Sequence, residues 1–261
     1  MIIAQELESQ QDISADVIFP PSDLYSDEPP VETELHLRQI ILLFKCLEWL
    51  WKDRTNFYAV GNLTIYYSPN QKKSQFFRGP DFFVVLETER KTRKSWVVWE
   101  EDGKYPNFIL EILSPSTANT DREFKKELYQ NTFRAPDYFW FDPYTLEFAG
   151  FHLIDNKYQP LEPNKKGYLW SEQLGLYLGI HQGLLRYFTP AGELVPTPEE
   201  TAEEETKKTA IQVQRAEIQS QRAEIESQRA EIESQRAEWE ARRSERLAAK
   251  LRELNIDPDT I

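Results

Sequence analysis

The sequence predicts a mixed α/β (α+β) domain built on one central β-sheet, followed by a long charged helix. Three observations predict it. Apolar residues recur at three- and four-residue spacing early in the chain, at Ile40, Leu43, Phe44, Leu47, Leu50 and Trp51. Short apolar runs bounded by turn residues follow, with a second helical pattern among them. Finally, Ile211, Ile218, Ile225, Ile232 and Trp239 fall seven residues apart in a segment otherwise rich in Glu, Gln, Arg and Ala.

Taken in order, residues 1–33 hold eight acidic residues, no Lys or Arg, and the pairs Pro20-Pro21 and Pro29-Pro30, which predicts an extended acidic arm. Residues 34–198 form the predicted globular domain. Its first helix spans about Glu34 to Asp53. Strand-like runs follow at Phe57–Val60, Leu63–Tyr67, Phe82–Leu86, Trp96–Trp99 and Phe108–Leu113, punctuated by Pro69-Asn70 and Asp102-Gly103. Thr120-x-x-Glu123 fits a capping box and predicts a helix to about Thr132. Tyr138–Phe141 is apolar throughout and reads as a central strand. Leu146–Leu153 with Lys157–Pro160 reads as a hairpin, and Leu174–Phe188 as further strand and loop.

Residues 199–261 are a different object. With Ile at heptad position a, Gln214, Gln221, Gln228 and Gln235 occupy d, arginines such as Arg222 and Arg229 occupy e, and Glu217, Glu224 and Glu231 occupy g. Pairing of g with e′ suits a parallel coiled coil and a homo-oligomer, whereas Gln at every d weakens the seam. The plain alternative is a solvated single helix held by pairs such as Arg222–Glu226. Asn255 and Pro258 mark its end.

The net charge of −13 divides as −8 over residues 1–33, 0 over residues 34–198 and −5 over residues 199–261. A neutral central domain counts mildly against tight non-specific binding to nucleic acid. The single cysteine, Cys46, precludes an internal disulfide and suits a reducing cytoplasm. Met1–Ser9 lacks the basic and apolar parts of a signal peptide, and no run of eighteen apolar residues predicts a membrane span.

Chemistry concentrates in two places. Asp81 follows Gly79-Pro80 at the entrance of the apolar run Phe82–Leu86, and Glu111 stands inside Phe108–Leu113. A buried carboxylate is costly unless it is paired or binds a metal. If the two strands are antiparallel neighbours, Asp81 and Glu111 converge on one cation. Mg²⁺ suits such oxygen ligands, with the backbone carbonyl of Ile112 as a further one. Lys125 and Tyr129 lie four apart on the following helix and share a face that can fold back beside the carboxylates.

These residues resemble the Uma-two family of endonucleases, within the restriction-endonuclease-like PD-(D/E)xK superfamily. The resemblance spans roughly residues 22–195. It rests on Pro80-Asp81, on Leu110-Glu111-Ile112-Leu113-Ser114-Pro115-Ser116-Thr117, on Asp121-Arg122, Lys125 and Tyr129, and on Asp137-Tyr138-Phe139-Trp140-Phe141-Asp142-Pro143. His36 resembles part of the family's early helix. The resemblance implies a restriction-endonuclease-like core and hydrolysis of DNA phosphodiester bonds with Mg²⁺ (or Mn²⁺). Asp81 and Glu111 would bind the metal, and Lys125 would orient water or stabilise developing charge. The chain departs from the superfamily at Leu113, where the usual lysine stands two residues after the glutamate. The family's lysine is shifted onto the next helix, which matches Lys125; Lys126 points about 100° away.

Plainer readings stand beside these. Asp81 can cap a turn, Glu111 can face solvent on an edge strand, and Lys125 can be a solvated helix lysine. His36 reads as structural, as do Asp142-Pro143 and the aromatics Tyr138, Phe139 and Trp140. Glu28 or Glu34 could add a metal carboxylate. Ser114 and Ser116 match no nucleophile motif. The rival function is a catalytically inactive nuclease-like module that recruits partners through its terminal helix.

Overall fold

The computed structural model describes residues 33–67, 77–113, 124–255 and 257–258. The acidic arm apart from Thr33, Glu28 within it, the turn Pro69-Asn70, the connection Ser114–Thr120 and the capping box Thr120–Glu123 lie outside the described residues. The chain divides into two compact units, Met1–Pro198 and Glu199–Ile261.

In the first unit, helix α1 (Glu34–Leu50) starts at Thr33, whose backbone is extended and whose Oγ1 accepts the His36 N–H at 3.3 Å. Its buried face is His36, Gln39, Ile40, Leu43, Cys46 and Leu47, the spacing of an amphipathic helix. Gln39 locks this face in place. Its side-chain amide donates to Leu185 O at 2.9 Å, and its Oε1 accepts the Leu185 N–H at 3.1 Å.

Strands β1 (Phe57–Gly61), β4 (Phe82–Leu86), β6 (Phe108–Ile112), β7 (Asp137–Phe141), β8 (Phe148–Ile154) and β9 (Lys157–Pro160) form a six-stranded sheet in the order β1-β4-β6-β7-β8-β9. Only β6 and β7 run parallel, so the sheet is mixed. Alternation along the strands sorts two cores. Phe82, Val84, Phe108, Leu110, Ile112, Phe139 and Phe141 pack toward α1. Phe83, Val85, Ile109 and Tyr138 pack on the other side, with Tyr129 and Phe133. Both faces are covered, which is why the central strands read as unbroken apolar runs.

The single predicted sheet is accompanied by two small ones. Strands β10 (Leu169–Ser171), β11 (Leu176–His181) and β12 (Leu184–Phe188) make an antiparallel sheet whose buried residues join the α1 core. Gln182 and Gly183, both at positive φ, close β11 and β12 as a two-residue hairpin. Strands β2 (Ile65–Tyr66), β3 (Phe77–Arg78) and β5 (Trp96–Val97) make the other. The strand expected over Trp96–Trp99 stops at Val97. A 3₁₀ turn over Val98–Glu100 replaces its end, closed by the Glu101 N–H on Val98 O at 3.2 Å, an oxygen that also accepts the Gly103 N–H at 2.9 Å.

Residues 124–128 are helical (α2) and continue as a π-helical turn over Tyr129–Phe133, ended by Arg134 in the left-handed conformation. Helix α3 (Pro198–Glu253), 56 residues long with no buried residue, makes up most of the second unit. It ends before Asn255, which adopts positive φ. No helix among the described residues is long and apolar enough to cross a membrane.

Candidate active site

Strands β4 and β6 are antiparallel neighbours, with Phe82 opposite Leu110. One step further in that register sets Asp81 opposite Glu111. Asp81 stands at the mouth of β4 beside a fixed turn: Pro80 is buried, and Asp81 O accepts the Asn62 N–H at 3.0 Å. The plain reading of Asp81 as a turn cap does not describe its carboxylate. Asp81 Oδ2 accepts the backbone N–H of Ile112 at 2.7 Å, across the sheet.

The N–H and C=O of one strand residue leave the strand on the same side. The Ile112 carbonyl therefore points to the side on which Asp81 stands. Asp81 Oδ1 lies 2.9 Å from His36 Nε2. That nitrogen is buried, and its geometry toward the carboxylate departs from that of a regular hydrogen bond. His36, read from the sequence as structural, is thus part of this cluster. Its buried helix face is legible in the sequence, whereas its partner on another element is not.

Glu111 is 2% exposed, which excludes an edge-strand glutamate facing solvent. Its side chain points to the α2 side of the sheet. Tyr129 donates its hydroxyl to Glu111 Oε1 at 2.6 Å, and Lys125 Nζ lies 3.0 Å from Oε2. The i, i+4 spacing of Lys125 and Tyr129 puts both on the one face of α2 that meets β6. Lys126 points elsewhere, with Nζ 3.6 Å from the centre of the Phe151 ring. Leu113 is 3% exposed and donates its N–H to Phe141 O, as an ordinary core residue.

The two carboxylates differ electrostatically. Burial pushes the Glu111 carboxyl up to about 8, and the charge on Asp81 adds to this, while Lys125 and the Tyr129 hydroxyl oppose it. Burial also acts to raise Asp81. There His36, Lys125 and the Ile112 N–H outweigh it, so Asp81 is held below its ordinary value. The two neighbouring carboxyls are thus pushed in opposite directions.

A second fully buried carboxylate gives the contrast. Asp137, fully buried at the start of β7, receives Ser171 Oγ at 2.6 Å, the Gln173 N–H at 3.0 Å and His152 Nδ1 at 2.7 Å. Both of its oxygens are satisfied by fixed protein groups, so it holds elements together. Asp142 likewise accepts the N–H groups of Tyr144 and Thr145 and closes a turn. Glu34 pairs with Arg38 on the exposed side of α1 and does not reach the cluster.

Among the described residues no group of three or more His, Cys, Asp or Glu is arranged to hold a metal ion. The donor set here is two carboxylates and a backbone carbonyl. It fits a hard divalent cation that keeps several of its waters, because such an ion needs only one or two protein carboxylates.

Comparison with known proteins adds three findings. A family profile, Uma2, described as "Putative restriction endonuclease", matches residues 23–186. No curated protein matches the chain. A similar solved structure is the crystal structure of "a putative nuclease belonging to DUF820" from Anabaena variabilis, 12% identical with a TM-score of 0.42, over 56% of this chain and 76% of that one.

Proposed function

The chain belongs to the Uma2 family, and from that premise we propose that it is a Mg²⁺- or Mn²⁺-dependent endonuclease that hydrolyses phosphodiester bonds of DNA. The observation that carries this reading is the convergence of Asp81 and Glu111 with Lys125, 3.0 Å from Glu111 Oε2. Asp81, Glu111 and the carbonyl of Ile112 would hold the cation. When bound, a divalent cation supplies Lewis acidity toward a phosphate oxygen and lowers the pKa of water.

The protein's own groups do the rest. The Ile112 N–H and His36 orient the Asp81 carboxylate and favour its charged form. Tyr129 fixes one oxygen of Glu111 and so sets the direction of the other. Lys125 keeps an ammonium beside the carboxylates, where negative charge grows on a phosphate under attack. Its pairing with Glu111 at 2% exposure is unlike that of a solvated helix lysine. The lone cysteine, Cys46, is buried and has no second cysteine in the chain to bridge to, which suits a reducing cytoplasm.

A second reading has its own support. Leu113 occupies the superfamily's lysine position as a buried core residue, and residues 34–198 carry no net charge. These favour a nuclease-like module that binds or scaffolds without cleaving. Incubation of the full chain with plasmid DNA and with single-stranded DNA, each with Mg²⁺ or Mn²⁺, separates the two. Metal-dependent cleavage lost in Asp81→Ala and Glu111→Ala is the expected result. A wild-type chain that cuts no nucleic acid with either metal leaves the scaffold reading standing.

A further inference from the structure

Helix α3 spans 56 residues with none buried. At 1.5 Å per residue that is about 84 Å of helix. Helices in water owe most of their stability to packing an apolar face, not to propensity. Its apolar residues are not scattered. Ile211, Ile218, Ile225, Ile232 and Trp239 recur every seventh position, and all five are between 43% and 65% exposed. A strict seven-residue repeat is the period of a left-handed supercoil, in which one stripe keeps facing a partner.

The charges beside the stripe say which partner. With the isoleucines at a, position g is Glu at residues 217, 224 and 231, and position e is Arg at residues 222, 229 and 236. Among the described residues none of these six side chains is in an ion pair. By contrast, Lys208 pairs with Glu204 and Arg242 with Glu238. In a parallel, in-register pair each g residue meets the e′ residue of the next heptad. Glu217 then meets the second copy's Arg222, Glu224 meets Arg229, and Glu231 meets Arg236, and the same contacts form in the reverse direction. An antiparallel pair would set g against g′ and e against e′, Glu facing Glu and Arg facing Arg. The pattern complements itself in one orientation only.

We propose that α3 pairs with α3 of a second copy of this chain as a parallel, in-register coiled coil over Ile211–Trp239. The pairing stands apart from the catalytic reading, since it uses no residue of the first unit. The d positions, Gln214, Gln221, Gln228 and Gln235, are polar. Polar layers weaken a seam while fixing its register, so the association is reversible and depends on concentration.

The test uses the full chain. Sedimentation equilibrium over a range of concentrations is expected to show a mass rising from 30.8 kDa toward twice that value. Gln214→Cys is expected to give a disulfide-linked dimer under mild oxidation, since like d positions face each other only in the parallel arrangement. Cys46 is buried and does not compete. Arg222→Glu/Arg229→Glu/Arg236→Glu is expected to sediment as a monomer. Mixing it with Glu217→Arg/Glu224→Arg/Glu231→Arg is expected to restore the dimer, which guards against a variant that merely loses helix. A wild-type chain that stays monomeric at every concentration overturns the proposal. So does a dimer that Gln214→Cys fails to cross-link, or a triple Arg→Glu variant that associates as tightly as wild type.

Discussion

Lys125 Nζ lies 3.0 Å from Glu111 Oε2, fourteen residues away along the chain, on a helix that packs against the strand bearing the glutamate. The cation beside the carboxylates thus comes from α2, while position 113 is a buried leucine. Lys125→Ala is expected to lower the rate of metal-dependent DNA cleavage by about 10²-fold, the usual loss when one stabilising donor is removed. Lys126→Ala, which removes only a contact with the Phe151 ring, should cleave within about twofold of wild type. Equal losses in the two variants would overturn the assignment.

The raised Glu111 carboxyl gives a pH signature. In the folded, metal-free chain it titrates near 8, against 4.5 for an ordinary glutamate. A cation must displace that proton, so Mn²⁺ affinity measured by calorimetry should rise with pH up to about 8 and then level off. Folding stability without metal runs the opposite way. Between about 4.5 and 8 the folded state holds a proton that the unfolded state has lost. Stability from this group therefore falls as pH rises, by at most about 1.4 kcal/mol per pH unit. Asp81 has the reverse sign: held below 3.8, it contributes stability above that value and loses it in acid. In Glu111→Gln the neutral-range slope of the melting temperature against pH should flatten.

His36 acts on Asp81 and not on Glu111. His36→Ala should weaken Mn²⁺ binding by roughly tenfold, because the Asp81 charged form loses its main protein partner. Cleavage at saturating metal should recover most of the lost rate, which a direct catalytic role would not allow. Circular dichroism of the variant checks that α1 still folds.

Asp137 is expected to matter for stability alone. Asp137→Ala strands Ser171 Oγ and the Gln173 N–H in a buried place and should cost about 2–4 kcal/mol, read by urea denaturation. Cleavage per folded molecule should be unchanged. A variant as stable as wild type would show that these contacts contribute little.

Gly61 sets how closely α1 approaches the sheet. A Cβ there would lie 2.2 Å from Ile40 Cγ2, far inside contact distance. Gly61→Ala should destabilise the fold by about 1–3 kcal/mol through overpacking. It should also reduce metal affinity, because α1 carries His36 toward Asp81.

Much of this was written locally. The face of α1 follows from apolar spacing, and the strands β4, β6 and β7 from apolar runs that only a doubly covered sheet tolerates. Asp81 and Glu111 were identifiable because carboxylates in such surroundings need a reason to be there. Lys125 and Tyr129 shared a face by helical arithmetic. The small sheet of β2, β3 and β5 was not legible, since two-residue strands carry no periodic signal. The 3₁₀ turn after Val97 arises where Val98 O takes hydrogen bonds from the Glu101 and Gly103 N–H groups.

The sequence by itself determined the element types, the two unusual carboxylates and the heptad stripe, because these depend on neighbours a few residues apart. Tertiary structure alone decided that β4 and β6 lie side by side, that Asp81 takes its hydrogen bond from Ile112, and that His36 meets Asp81 while Asp137 is held by Ser171, Gln173 and His152. Those outcomes depend on which distant groups meet in a buried space. There, the supply of donors to each carboxylate oxygen settles whether the group holds the fold together or forms part of the site.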